Sequence, residues 1–170
     1  MVVAAAAMAV VVADAVTEVP EAPGPSGREP SILSAAMKTK SYLTQDDTRK
    51  ILDAAAVHAR AKGWAVTVCV CDDGGHLLAL QRLDGAAPFT AQMAIAKANT
   101  AAIGRRESRL FEENINQGRT ALVTAPFSGL LEGGVPILAD GQVIAAVGVS
   151  GVKSADDAEI AKAGIAALGL

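Results

Sequence analysis

Apolar residues recur at helical spacing in the first regular segment after residue 43. Thr44, just before this segment, is a suitable N-cap, and Asp47 three residues later resembles the acidic partner of a capping box. Gly63 supplies a residue that readily ends a helix in the left-handed conformation. The apolar residues that would share one helix face are Ile51, Leu52, Ala55, Ala56 and Ala59. The pattern therefore predicts a helix from Thr44 to Gly63.

Two later parts of the chain each contain two apolar runs of strand length joined by a turn signal. The first turn is Asp72-Asp73-Gly74-Gly75 and the second is Asp140-Gly141. Both residue types tolerate the positive φ angles that tight turns need. The flanking runs cover residues 64–71, 76–83, 135–139 and 142–149. The sequence therefore predicts two β-hairpins.

The other regular segments are predicted helices over residues 88–103, 107–117 and 155–168, with a loop over 118–134. Pro88 suits the first turn of its helix, and Gly104 would stop that helix. Ser154 would cap the last helix, with Asp157 as the third residue of a capping box. Because hairpins make neighbouring strands antiparallel, we expect an α+β fold. Its antiparallel sheet has about four to five strands built from two hairpins, and the helices pack on one sheet face.

The first 36 residues differ in composition from the rest of the chain. The apolar run Val2–Ala13 is shorter than the roughly 20 residues that span a bilayer, and a Pro- and Gly-rich linker follows at 23–27. Met37 begins a segment that leads directly into the predicted fold. We therefore expect residues 1–36 to be a disordered extension or a vestigial leader, and residues 37–170 to form the domain.

The cellular location depends on this extension. Ala13-Asp14-Ala15 resembles a signal-peptide cleavage site, but no Lys or Arg precedes the apolar run. We expect a cytoplasmic protein, or an exported one if Ala15 marks a functional cleavage site.

Charge and composition restrict the classes of partner. The chain of 170 residues carries a net charge of −3, and its first 36 residues hold four of the 18 acidic and one of the 15 basic residues. The domain is therefore neutral, and aromatic residues make up only 3% of the chain. These values argue against nucleic acid as a partner, and no segment of the domain suggests a membrane span. Cys69 and Cys71 would point the same way on a strand, which favours two core thiols over a disulfide.

Candidate chemistry rests on individual residues, because the chain lacks the common nucleophile, phosphate-loop and zinc motifs. His76 follows the first turn, where an imidazole can act as an acid or base or bind iron as an axial ligand. It can equally be a polar residue at the mouth of a hairpin.

Arg82, Asp84 and Lys97 are candidates for binding an anion. Arg82 and Asp84 lie on one side of an extended chain, where they either hold a carboxylate or pair with each other. Lys97 is set among small residues, and its side chain either meets an anion in a pocket or extends to solvent.

The segment Glu132-Gly133-Gly134 is the most unusual loop. Consecutive glycines let the backbone approach a ligand closely and present N–H groups to an anion, although a plain strand entry has the same composition. Ser150 ends the last predicted strand, and we expect it beside this loop.

Taken together, these residues resemble the GlcG/HbpS family, also met as the C-terminal domain of PduO-type proteins. The matching segments are Leu43-Thr44, Val70 to Leu78, Arg82 to Ala86, Lys97-Ala98, Gly133 to Pro136 and Gly148 to Gly151. The resemblance covers residues 37–170 and is strongest to the GlcG branch, whose genes lie with glycolate utilisation.

The resemblance implies a small-ligand-binding protein that forms homo-oligomers, with haem as the suggested ligand. It carries over no axial ligand, and His76 is the first choice of metal ligand because it is one of only two histidines and lies at a loop. Its cellular context would be the catabolism of glycolate or another hydroxy acid. A second hypothesis is an enzyme for a small hydroxy or keto acid, in which Arg82, Lys97 and the glycine loop hold the carboxylate. His76 or Asp84 would then move a proton. A third is a structural or regulatory partner that assembles through alanine-rich helix faces.

Overall fold

The computed structural model describes residues 39–170, so the expectations for residues 1–36 and for a start at Met37 lie outside the described residues. The elements in chain order are α1 (Gln45–Ala61), β1 (Thr67–Asp72), β2 (Leu77–Arg82), α2 (Phe89–Gly104), α3 (Arg109–Asn116), a 3₁₀ helix (Thr120–Thr124), β3 (Gly134–Ala139), β4 (Gln142–Ser150) and α4 (Ser154–Ala166). None of the helices in this part of the chain has both the length and the hydropathy needed to cross a membrane.

The start and end of α1 follow the sequence signals. The hydroxyl of Thr44 accepts a hydrogen bond from the Asp47 amide at 3.2 Å, and the Asp47 carboxylate accepts one from the Thr44 amide at 3.1 Å. Gly63 follows the helix with a φ of +70°. The predicted capping box and glycine terminator are confirmed.

The four strands form one antiparallel sheet in the order β2-β1-β4-β3, which confirms the α+β fold built from two hairpins. Each hairpin contributes an inner and an edge strand. The inner strands β1 and β4 pair along their length, with Thr67 opposite Ser150. Thr67 also lies opposite Arg82 of β2, so these three residues form a row across one end of the sheet.

Helices cover both faces of the sheet, whereas we expected one covered face. Val68 and Val70 of β1 point into the cluster that holds α1 and α4, and Cys69 and Cys71 point towards α2. The α2 residues of that second cluster are Ala94, Ala98, Ala101 and Ala102. The expectation of two free core thiols is confirmed, since both cysteines are buried and unpaired. Burial raises the pKa of each thiol to about 12.

The end of α2 differs from the prediction. Gly104 is the last helical residue, and Arg105 after it adopts the left-handed conformation with a φ of +52°. Gly104 is needed for packing instead, because a Cβ at this position would lie 2.7 Å from the ring of Phe111.

The start of α4 also differs. Lys153 is the N-cap residue and Ser154 is already helical, so the predicted capping box is wrong. The reason is that the Asp157 carboxylate accepts hydrogen bonds from Lys97 and from the Val152 amide.

Candidate functional site

His76 lies in the turn of the first hairpin, where Asp72 organises the chain. One carboxylate oxygen of Asp72 accepts hydrogen bonds from the amides of Gly74 and His76, each at 2.9 Å. The other oxygen lies 3.1 Å from Nδ1 of the His76 imidazole. The imidazole is 81% exposed. The turn therefore holds the ring by one nitrogen while the ring faces solvent.

Two further contacts fix this turn on the body of the domain. Asn99 of α2 donates a hydrogen bond from its side-chain amide to the Gly75 carbonyl at 3.2 Å. The Lys40 ammonium lies 2.7 Å from the Asp73 carboxylate. Gly75 has a φ of +81°, and a Cβ there would clash with Asn99, so a glycine is required at this position.

The electrostatics of the turn decide which imidazole nitrogen is available. Partial burial of Asp72 raises its pKa, but hydrogen bonds from the His76 backbone, the His76 side chain and the Gly74 backbone outweigh that effect and lower it below the usual value. Asp72 is thus a carboxylate, which only accepts hydrogen bonds, so Nδ1 carries the proton that it shares with Asp72. The lone pair of a neutral His76 therefore lies on Nε2, which has no hydrogen-bond partner among residues 39–170.

The two residues that follow His76 along the chain are exposed and apolar. Leu77 and Leu78 begin β2 and are 52% and 45% exposed. An outward imidazole lone pair is suited to haem iron, because the porphyrin supplies four iron ligands and leaves the axial positions for protein side chains. A carboxylate on the far side of a ligating histidine is the usual arrangement at metal sites.

Lys97 lies directly beside the glycine loop, but its ammonium group is already engaged. Lys97 Nζ lies 2.8 Å from an oxygen of Asp157, and the two side chains are only 4% and 2% exposed. A Cβ at Gly133 would lie 2.8 Å from the same nitrogen. Burial raises the pKa of Asp157, and the hydrogen bond from Lys97 opposes that rise. The Lys97 side chain therefore does not extend to solvent. It meets an anion, and that anion is the Asp157 carboxylate of the protein itself.

Two of the three amides in the glycine loop donate hydrogen bonds within the protein. The Glu132 amide donates to Glu112 at 2.6 Å, and the Gly134 amide donates to the hydroxyl of Ser108 at 2.8 Å. The Gly133 carbonyl accepts from the Val149 amide at 2.9 Å, which extends the β3–β4 pairing. This geometry is that of a strand entry.

Ser150, Arg82 and Asp84 lie at the same end of the sheet as the glycine loop. Ser150 is buried, while Arg82 and Asp84 are exposed and form no ion pair with each other within residues 39–170. His76 lies at the opposite end, about 17 Å away along the five residue steps of β1. The candidate residues therefore fall into two groups, and His76 does not converge with Lys97 and Arg82.

The contacts of three residues at these two ends were not predicted from the sequence, which indicated Asp72 only as a turn residue and Asp157 only as part of a helix cap. Asp72 and Asn99 hold the His76 turn, and Asp157 pairs with Lys97. The sequence signal for Asp72 is its position four residues before a histidine across two glycines. No sequence signal indicates the contacts that Asn99 and Asp157 form, because their partners are distant in the chain.

Comparison with known proteins agrees with the fold described above. A family model described as "Haem degrading protein HbpS-like" matches residues 43–166. The chain belongs to the HbpS-like family. The Escherichia coli K12 protein named Protein GlcG is 54% identical over 114 residues, which cover 67% of this chain and 85% of that protein. The resemblance to the GlcG branch is thereby confirmed.

Solved structures of HbpS-like proteins share this architecture. HbpS of Streptomyces reticuli, solved as a double mutant, has a TM-score of 0.72 at 32% identity, covering 89% of this chain and all of that one. PduOC, solved in complex with haem, has a TM-score of 0.67 at 23% identity, covering 75% of this chain and 95% of that one. At that identity the second comparison shows the shared fold only.

Proposed function

We propose that this HbpS-like domain is a small-ligand-binding protein whose ligand is haem, and that Nε2 of His76 is the axial ligand of the iron. The hydrogen bond between Asp72 and Nδ1 of His76 carries the proposal, because it leaves Nε2 as an exposed lone pair. The family description and the haem complex of PduOC support haem as the ligand class.

Each residue of the turn has a defined part in this proposal. Bound haem would supply the redox-active iron. Asp72 fixes the tautomer of His76, and Asn99 holds the turn against α2. Leu77, the next residue along the chain, is exposed and offers apolar surface to a porphyrin. Because these contacts exist before any ligand arrives, little ordering is needed on binding.

Titration of the purified protein with haemin tests the proposal. We expect a saturable shift of the Soret band with micromolar or tighter affinity for the wild-type protein. His76→Ala should abolish the shift or weaken binding at least tenfold. His58→Ala is a matched control, because the chain has only two histidines and His58 is engaged with Glu159 at 2.8 Å. Equal binding by both variants would refute His76 as the ligand, and no binding by the wild type would refute haem.

We also propose that the protein acts in the catabolism of glycolate or a related hydroxy acid, as its membership of the GlcG branch suggests. An enzyme for such an acid is the alternative hypothesis. That alternative needs a cation to receive the carboxylate, and the Lys97 ammonium is instead paired with Asp157. Thermal-shift measurements with glycolate and glyoxylate test direct binding, since a ligand that binds the native state raises its melting temperature. A saturable rise that Arg82→Ala removes would favour the enzyme.

Homo-oligomer formation and a cytoplasmic location remain proposals. The alanine-rich helix faces that suggested assembly pack inside the domain, against the sheet and against α1 and α4. An oligomer would therefore use other surfaces. Light scattering of the intact chain tests assembly, and N-terminal sequencing of the protein from fractionated cells tests its location.

A further inference from the structure

Asp72 contacts the His76 imidazole on the side away from Nε2, and the two are held together firmly. The carboxylate receives two backbone amides of its own turn in addition to Nδ1 of the ring. These amide bonds prevent the carboxylate from turning away. In this arrangement the ring nitrogen that faces solvent has an anion on the far side of the ring.

A negatively charged acceptor changes the electron donation of an imidazole as well as its orientation. An imidazole that donates its N–H to a carboxylate is a more basic ligand than one that donates to a neutral carbonyl. More negative charge on the ligand stabilises Fe(III) more than Fe(II), and hydrogen bonding behind the axial ligand is one of the means by which proteins adjust haem iron.

Charges near the ring do not offset this effect. Asp73, the next residue, is paired with the Lys40 ammonium at 2.7 Å. No cation forms an ion pair with Asp72 within residues 39–170 apart from His76 itself. The charge of Asp72 therefore acts mainly on the ring of His76.

We propose that Asp72 is a positioning residue that makes His76 a strongly donating ligand and gives the site a preference for ferric over ferrous haem. This inference rests on the proposed function, because it requires His76 to bind the iron. It adds to the proposed function the oxidation state of the haem iron that the site prefers and the residue that sets this preference.

Spectroelectrochemical titration of the haem complex tests this inference. We expect Asp72→Asn to raise the Fe(III)/Fe(II) potential and to lower the ferric-to-ferrous affinity ratio at least tenfold, which equals about 59 mV for one electron. Asp72→Ser is a second neutral variant, and both Asn and Ser can still accept the turn amides. Asp73→Asn removes the same charge one residue away and should leave the potential near that of the wild type.

The outcomes separate this inference from the proposed function. If haemin does not bind, or if His76→Ala binds it as the wild type does, the proposed function fails and the inference fails with it. If binding depends on His76 but Asp72→Asn and Asp72→Ser have the potential of Asp73→Asn, only the inference is overturned. A rise in both neutral Asp72 variants, with unchanged circular dichroism, supports it.

Discussion

The ammonium nitrogen of Lys97 lies 2.8 Å from a carboxylate oxygen of Asp157, although the two residues come from helices on opposite faces of the sheet. Lys97 reaches past the chain at Gly133, where a Cβ would lie 2.8 Å from its nitrogen. The ion pair is buried and joins the α2 layer to the α4 layer at one end of the sheet. The absence of a side chain at Gly133 leaves the space that this pairing occupies.

Removing Lys97 should destabilise the domain strongly. Lys97→Met leaves the Asp157 carboxyl buried without its main donor, and breaking a buried pair in this way costs about 3–5 kcal/mol. The double variant Lys97→Met/Asp157→Asn should recover part of the loss, because asparagine is neutral and still accepts from the Val152 amide. Urea denaturation measures both. A loss below about 1 kcal/mol for Lys97→Met would show that the pair contributes little.

An alanine at Gly133 should destabilise the domain more than an alanine at Gly141. Gly133 and Gly141 both have positive φ, at +123° and +74°, but only Gly133 has neighbouring atoms where a Cβ would lie. Gly141→Ala should cost about 1–2 kcal/mol from backbone strain alone. Gly133→Ala should cost a further 1–3 kcal/mol or so, because its φ of +123° lies farther from the left-handed region and because a Cβ there would press on Lys97 and Asp157. Equal unfolding free energies for the two variants would contradict the close approach.

The capping box of α1 should give the stability a defined pH dependence. Hydrogen bonds from the Thr44 side chain and backbone lower the pKa of Asp47 in the folded protein. A depressed folded pKa means that the stabilisation is present above the unfolded value of about 3.8 and is lost as the pH falls through the folded pKa. Asp47→Ala should therefore be less stable than the wild type at pH 7, and the difference should shrink below pH 3.8. A difference that does not change between pH 7 and pH 2.5 would contradict this reasoning.

Local signals predicted most of the fold, and contacts between distant residues account for what they missed. Thr44, Asp47 and the two Asp/Gly turns act within a few residues, so the first helix and both hairpins follow from the sequence. Asp157 looked like a local cap, but its actual partner is Lys97, 60 residues earlier. Periodicity also could not show that α2 covers the second sheet face, because an alanine-rich helix has no marked apolar side.

In the candidate site, too, local sequence signals predicted some features, and contacts between distant residues account for the others. His76 was identifiable as a histidine at a turn, and Asp72 lies within reach in the sequence. The clamp by Asn99 depends on how α2 packs against the hairpin, which no local pattern reveals. The sequence also suggested one site for His76, Arg82 and Lys97. The length of β1 instead separates the His76 turn from Arg82, and the Lys97 ammonium is paired with Asp157.

The central claim is a bond between haem iron and Nε2 of His76, and resonance Raman spectroscopy of the ferrous haem complex observes such a bond directly. We predict an iron–histidine stretching band in the wild-type and His58→Ala complexes that is absent in the His76→Ala complex. A wild-type complex without this band, or a His76→Ala complex that keeps it, would contradict the account.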